Sequence, residues 1–188
     1  MPKKKQSLYM KMHNGRMIDI RNPTFEIKEI AFGLSKVPRF VGQTHMEYSV
    51  ANHSTLVARL CRQMGGNPKE GLMHDSTEFL GADVPQPVKS LCPDYQRWER
   101  SMYRKIAAWC HLPLKQGLIT KLADNVALIM EMDVLFPNGS KELGAEYDAY
   151  RPKVLEMRKL GVGVELTNRN EAYRNFMIWW NKCERHEV

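Results

Sequence analysis

The stretch from Gln116 to Phe136 carries more apolar side chains than one face of a helix can hold, and this limits the folds open to the chain. A helix that is apolar on most of its sides must be covered by neighbouring elements. Asp124 lies inside this apolar pattern, and a buried carboxylate is costly unless other groups pair with it. The stretch therefore predicts a largely buried helix of a helical bundle, with one acidic group that needs partners.

Helical spacing of apolar residues recurs along the rest of the chain, with breaks at proline and glycine. Strand-like alternation is nearly absent, although Asn14-Gly15 suits a hairpin turn. We predict an all-α bundle in one domain, residues 1–188, with an irregular or short-strand basic lead-in over 1–24. The predicted helices span about 25–35, 49–64, 67–81, 95–110, 116–136, loosely 141–160, and 168–182.

The composition excludes several classes of protein. No run of about 18 apolar residues exists, so we expect no membrane span, and the basic N-terminus lacks the apolar core of a secretory signal. Four scattered cysteines without a CxxC pair favour a reduced, cytoplasmic compartment. The net charge of +7 favours a negatively charged partner, either a nucleic acid or a small molecule that bears phosphate.

The segment Gly71–Lys89 concentrates polar groups beside an apolar stripe. His74 and Asp75 are adjacent, and Glu78 follows at helical spacing, so a continuous helix would place it beside both. Asn67 is a suitable N-cap for that helix, and the glycine at position 81 a suitable exit. Taken alone, the segment fits a charged surface helix as well as it fits a functional site.

Two imidazoles and two carboxylates lie in helices that also carry apolar faces: His53, His74, Asp75 and Asp124. If they converge, they form a divalent metal site with positions left for water. The sequence HDSTE is not the HExxH of zinc proteases, and neither a phosphate-binding GxxxxGK[ST] loop nor a GxSxG nucleophile motif occurs.

The order H…HD…D resembles the HD-domain metal-dependent phosphohydrolases. The blocks YSVANHSTLVARL, MHDSTEFLGADVPQPVK and KLADNVALI are similar to those of small bacterial 5′-deoxynucleotidases and of phage HD phosphohydrolases. The lead-in NGRMIDIRNP and the block LSKVPRFVGQTHMEYSVANHS resemble the phage branch, which includes dATP triphosphohydrolases. The resemblance covers roughly residues 13–136.

The resemblance implies an HD-domain bundle and a set of site residues. His53, His74, Asp75 and Asp124 would bind the metal. Glu78 would hold or deprotonate the attacking water, and Asp83 would be a second acid, base or water-orienting group. The implied substrate contacts are Arg39, Phe40, Lys89 and Lys121, although bacterial relatives usually have tryptophan where this chain has Phe40.

The implied cofactor is a divalent ion such as Zn, Mn or Co, with Mg as a possible second ion. A bound divalent metal lowers the pKa of water from 15.7 to about 7, and cations stabilise phosphate oxygens during transfer. We expect a deoxynucleotide substrate, no stable nucleic-acid partner, and self-association into a homo-oligomer. If the chain is phage-encoded, the compartment is the cytoplasm of the host cell.

Four readings of function stay open. The favoured one is a dNTP triphosphohydrolase of the dATP type, because the chain is basic and its lead-in is phage-like. A 5′-deoxynucleotidase acting on dNMPs is the alternative. A basic nucleic-acid-binding module with a degenerate metal site, and a hydrolase of signalling nucleotides such as guanosine tetraphosphate, are weaker readings.

Overall fold

The helices of the computed structural model account for most of residues 8–188, the part of the chain that it describes. The prediction of an all-α helical bundle is confirmed, with one short hairpin in addition. The helices are α1 (Ile27–Lys36), α2 (Val50–Gln63), α3 (Pro68–Met73), α4 (Glu78–Gly81), α5 (Gln86–Ser90), α6 (Pro93–Trp109), α7 (Leu118–Leu135), α8 (Arg151–Lys159) and α9 (Arg169–Glu184). Within residues 8–188, no helix combines the length and apolar character needed to cross a membrane.

The lead-in forms the predicted hairpin. Strands β1 (Tyr9–Lys11) and β2 (Met17–Asp19) pair antiparallel, and the turn passes through Gly15 with a φ of +88°. A glycine adopts this left-handed conformation at little cost. The arginine that follows it, Arg16, makes an ion pair with Glu29, so the hairpin is fastened to α1. The basic residues 3–5 lie outside the described part of the chain.

Helix α2 lies at the centre of the bundle and packs against α1, α3, α7 and α9. It begins at a capping box in which the Ser49 and Asn52 side chains bind each other's backbone amides. Helix α3 approaches it closely because Gly71 has no side chain, and a Cβ there would lie 2.8 Å from the sulfur of Cys61. This close approach brings the end of α3 next to the middle of α2.

Two apolar clusters flank α2. The first unites residues of α1, α3, α6 and α9 with the N-terminal half of α2, and the second lies between α2, α7 and α8. The first cluster includes Ile30, Leu34, Leu72, Ile106 and Phe176, and the second includes Leu60, Val126, Ile129, Met130 and Met157. His53 on α2 and Asp124 on α7, both predicted metal ligands, therefore lie on well-packed helices.

The prediction of one continuous helix over 67–81 is wrong. Asn67 caps the segment as expected, with its side chain accepting bonds from two backbone amides. Helix α3 ends at Met73, however, and residues 74–77 form tight turns before α4 begins at Glu78. The His74 ring bonds back to a backbone carbonyl of α3, and the next amides bond three residues back rather than four. Helical spacing is therefore not what brings His74, Asp75 and Glu78 together.

The exit from α4 also differs from the expected glycine cap. The left-handed conformation falls on Ala82, with a φ of +64°, and not on Gly81. Gly81 instead packs against α6, where an added Cβ would lie 2.7 Å from the Trp98 ring. Its small size, and not its backbone freedom, is what this position requires.

The loosely predicted helix over 141–160 is replaced by two short 3-10 segments, Gly139–Glu142 and Ala145–Tyr150, followed by α8. Pro152 lies in the first turn of α8, a position that suits proline. The proline-rich segment after α4 also contains a short helix, α5, that the sequence did not predict. The terminal helix is confirmed as α9, capped by Asn168.

Candidate metal centre and cleft

Four side chains from three parts of the bundle converge on one point. The Nε2 atoms of His53 on α2 and His74 after α3 are 3.1 Å apart. Oδ1 of Asp124, on α7, lies 3.2 Å from Nε2 of His53 and 3.6 Å from that of His74. Oδ2 of Asp75 lies 3.2 Å from Nε2 of His74 and 3.5 Å from that of His53. The structure thus brings together all four residues predicted as metal ligands.

The ring orientation of both histidines leaves Nε2 free to bind a metal. Nδ1 of His53 is 2.6 Å from Oε1 of Glu131, and Nδ1 of His74 is 2.8 Å from the carbonyl oxygen of Gly71. An acceptor at Nδ1 holds the proton on that nitrogen, so that Nε2 presents its lone pair. Two lone pairs that face each other are stable only with a cation or a proton between them.

The spacing and the charge of the donor atoms fit a divalent cation. A tetrahedral shell with bonds of about 2.1 Å separates its ligand atoms by about 3.4 Å. Ligand atoms of His53, His74 and Asp124 all lie within 4.8 Å of one another. Burial opposes protonation of His74, but the charge of Asp75 and hydrogen bonds with Asp124 raise its pKa to about 10. The cluster therefore favours a bound positive charge, and a metal ion can supply it in place of a proton.

A network of ion pairs, centred on Arg39, packs against the cluster. Arg39 is 12% exposed, and its guanidinium lies 3.1 Å from Oδ2 of Asp83 and 3.4 Å from Oε2 of Glu131. The same oxygen of Asp83 also accepts a bond from the backbone amide of Phe40 at 3.3 Å. Arg39, predicted as a contact for substrate phosphate or sugar, is thus engaged by carboxylates, and it lies 3.9 Å from Oδ2 of Asp75. This places it as a support for the cluster as well as on the wall of the cleft.

Glu78 lies beside the cluster with a free carboxylate oxygen. It is 3% exposed, and its Oε2 has no hydrogen-bond partner within residues 8–188. Burial, followed by the charges of Asp75 and Asp83, raises the pKa of Glu78 well above its usual range. A buried, unpaired carboxylate that lines a cleft beside a metal cluster is suited to accept a proton from water.

The cleft has two lobes that meet at the cluster. The smaller lobe, about 380 Å³, is lined by Phe40, Glu78 and Asp83. The larger lobe, about 720 Å³, is lined by His74 and Lys121. Both lobes share four wall residues: Asp75, Gln86, Lys89 and Asp124.

The predicted substrate contacts Phe40, Lys89 and Lys121 line the cleft, but they differ in whether another side chain already engages them. Lys89 forms an ion pair with Glu99 at 2.7 Å, whereas Lys121 is exposed on the first turns of α7. The Phe40 ring meets that of Phe136 edge-on, with ring centres 5.1 Å apart. Phe40 has a φ of +53° and its neighbour Val41 a φ of +55°, a conformation that costs a side-chain-bearing residue energy. This strained turn fixes the ring at the mouth of the smaller lobe.

Glu131 is the main site residue that the sequence reading missed. It lies seven residues, or about two helical turns, after Asp124, and is therefore on the same side of α7. It is fully buried between the two methionines Met130 and Met132 in sequence. A glutamate in an apolar helix requires a partner, and that requirement was the signal available.

Comparison with known proteins adds relatives but no function. No family model matches the chain. It is 39% identical over 105 residues to the uncharacterized protein YfdR of Escherichia coli K12. The matched region covers 56% of this chain and 58% of YfdR. The chain is 39% identical over 94 residues to the uncharacterized protein RCAP_rcc00048 of Rhodobacter capsulatus, covering 44% of this chain and 47% of that protein. The chain thus spans about half the length of the curated relatives it matches.

Among solved structures, the chain is similar to the cyanophage S-2L HD phosphohydrolase DatZ, bound to dA and one catalytic Zn²⁺ ion. The two are 19% identical, with a TM-score of 0.48 over 86% of this chain and 98% of DatZ.

Proposed function

We propose that this protein is a divalent-metal-dependent phosphohydrolase of deoxynucleotides, of the HD-domain kind that its sequence blocks resemble. The observation that carries the proposal is the pair of facing Nε2 atoms of His53 and His74, 3.1 Å apart and closed by two carboxylates. A group with these donors holds a cation at the junction of two substrate-sized lobes. The convergence of all four predicted ligands supports a working hydrolase over a nucleic-acid-binding module with a degenerate site.

The chain's own residues supply the remaining parts of a hydrolytic site. When bound, a divalent cation supplies Lewis acidity toward a phosphate oxygen and an incoming water. Glu78 accepts a proton from the water as it attacks phosphorus, because its carboxylate is buried and unpaired beside the ligands. Asp83, held as an acceptor by Arg39 and by the amide of Phe40, orients the water, and Glu78 returns the proton it has taken to the leaving oxygen.

Positive side chains stabilise the charge that phosphoryl transfer spreads over the non-bridging oxygens. Lys89, paired with Glu99, lines both lobes, and Lys121 lines the larger one, so both lie on the walls that would surround a phosphate at the cluster. Phe40 offers an aromatic surface on the opposite side for a base. We favour a deoxynucleoside triphosphate with adenine as substrate, and a 5′-deoxynucleotidase that acts on monophosphates is the alternative.

The test is a turnover panel of the four dNMPs and four dNTPs with Mn, Co, Zn or Mg, using protein purified without chelator or affinity metal. We expect metal-dependent turnover, with dATP split into deoxyadenosine and triphosphate. Orthophosphate from dNMPs alone would support the nucleotidase alternative. Absence of turnover for all eight nucleotides with every metal would contradict the proposal.

A further inference from the structure

The two lobes of the cleft differ in chemistry. The smaller lobe presents Phe40, Leu128 and Tyr147 beside the cluster, and its one arginine, Arg39, is held by Asp83 and Glu131. The larger lobe presents exposed cations: Arg100, Arg104, Lys115 and Lys121. One side of the cluster therefore suits a nucleoside, and the other suits an anion.

The cations of the larger lobe are free of acidic partners. Among residues 8–188, no carboxylate lies within ion-pair distance of Arg100, Arg104, Lys115 or Lys121, whereas the nearby Glu99 is already paired with Lys89. The two other acids on the wall, Asp75 and Asp124, point into the metal cluster. The lobe thus carries uncompensated positive charge, which a bound polyanion would neutralise.

The cations come from separate elements that face one space. Arg100 and Arg104 are four residues apart on α6, so they share one side of that helix. Lys115 follows in the connection to α7, and Lys121 lies in the first turns of α7, three residues before Asp124. A chain of phosphates that starts at the cluster would meet these four cations along the lobe.

We propose that the larger lobe binds the β- and γ-phosphates of a deoxynucleoside triphosphate, and that Arg100, Arg104 and Lys115 make the site selective for triphosphates over monophosphates. This inference rests on the proposed function. The α-phosphate lies at the cluster, and the nucleoside lies in the smaller lobe. Water attacks the α-phosphorus and gives a proton to Glu78, the bond from that phosphorus to the 5′ oxygen breaks, and this oxygen takes the proton from Glu78 and leaves as the nucleoside hydroxyl. The three phosphates then remain together as triphosphate in the basic lobe.

The first test compares the ratio of kcat/KM for dATP to that for dAMP in two double variants. Arg100→Ala/Arg104→Ala removes two charges from the lobe. Arg62→Ala/Arg174→Ala removes two charges from exposed positions on α2 and α9 that line neither lobe. We expect the first variant to lower the ratio by about 100-fold, on the order of 10-fold for each charge-assisted contact, and the second to leave it within about 2-fold.

The second test measures binding of inorganic tripolyphosphate and of orthophosphate by titration calorimetry, and needs no turnover. Tripolyphosphate should bind the metal-loaded protein at least about 10-fold more weakly in the Arg100→Ala/Arg104→Ala variant, while the Arg100→Lys/Arg104→Lys variant recovers most of the affinity because it keeps the charges of the lobe. Equal tripolyphosphate affinity in the Ala variant and the unmodified protein would overturn the inference.

The outcomes separate the inference from the proposed function. If the protein turns over dATP but the ratio of kcat/KM for dATP to that for dAMP is unchanged in the Ala variant, the proposed hydrolase function is supported and the proposed triphosphate-binding role of the larger lobe is contradicted. Loss of tripolyphosphate binding in that variant, with no turnover in the unmodified protein, would retain the polyphosphate lobe and contradict the hydrolase. Thermal unfolding of each variant checks that it is folded.

Discussion

Nδ1 of His53 lies 2.6 Å from Oε1 of Glu131, and both side chains are fully buried. The contact crosses from α2 to α7, the two helices that also supply His53 and Asp124 to the cluster. The glutamate fixes the ring so that Nε2 faces the other side chains of the cluster. It also makes Nε2 more basic, and so a stronger metal ligand. The other carboxylate oxygen of Glu131 is held by Arg39, so a buried chain of charges supports the cluster of histidines and aspartates.

Replacement of Glu131 should therefore weaken the metal site without removing a ligand. We expect Glu131→Gln to lower metal affinity by about 10- to 100-fold, the range typical of such supporting groups. The affinity is measured by competition with a chromophoric chelator. Glu142→Gln, an acid at the surface outside the site, is the matched control and should leave affinity unchanged. Unchanged affinity in Glu131→Gln would mean that the ring of His53 needs no such support.

Replacing a predicted metal ligand and replacing the proposed proton acceptor should have different effects on metal content. His74→Ala should lose the metal and the activity together. Glu78→Gln should keep the metal and lose turnover by about 10² to 10⁴, the contribution typical of a general base. Metal content by elemental analysis and turnover of dATP are measured on the same samples. Full activity of Glu78→Gln would remove this residue from the mechanism.

Phe40 should contribute to nucleotide binding and not to phosphate binding. Its ring lines the smaller lobe and is fixed by an edge-on contact with Phe136. Stacking of a base on an aromatic side chain is worth about 1–3 kcal/mol, so Phe40→Ala should raise the KM for dATP by about 5- to 150-fold. Tripolyphosphate affinity should stay within about 2-fold, as measured by calorimetry. An equal loss for both ligands would show that the turn around Phe40 has collapsed instead.

The ion pair between Arg16 and Glu29 should make stability sensitive to acid. Glu29 is almost fully buried, and its hydrogen bond with Arg16 lowers the pKa of the carboxyl below its ordinary value of 4.5. A group whose folded pKa is lowered stabilises the fold above its unfolded pKa, and this stability is lost as pH falls through the folded pKa. Glu29→Gln should thus cost about 2 kcal/mol at pH 7 and much less near pH 3.

Urea unfolding at pH 7 and pH 3 measures this difference. Arg21→Ala removes an exposed ion pair from the same hairpin, with Asp19, and should change the free energy of unfolding by less than about 0.5 kcal/mol. A Glu29→Gln effect that is the same at both pH values would contradict the assigned charge.

The sequence predicted most of the helices and the four side chains that converge at the cluster, but not the local backbone that joins them. Capping boxes mark the starts of α2 and α9, and the long apolar stretch marks α7, so the bounds of these three helices fall within two residues of the prediction. The turns over 74–77 depend on a bond from the His74 ring to a carbonyl of α3 and on the close approach of α3 to α2. Neither tertiary contact is visible in residue spacing.

The same limit applies to the supporting charges. Arg39 looks in sequence like a free phosphate-binding group, since nothing in its neighbourhood reveals that Asp83 and Glu131 fold against it. The basic lobe is likewise assembled from α6, the following connection and α7, whose relative placement is set by packing. Residue spacing within one helix identifies candidate site residues, but contacts between helices determine which charged groups lie beside them.

Titration of metal-free protein with Mn, Co or Zn while dATP turnover is followed tests the central claim most directly. We predict no turnover without metal, a linear rise with added metal, and a break at one equivalent per chain, with deoxyadenosine and triphosphate formed in equal amounts. Turnover that is unaffected by complete removal of metal, or no turnover at any ratio of any of these metals, would contradict a metal-dependent hydrolase built on His53, His74, Asp75 and Asp124.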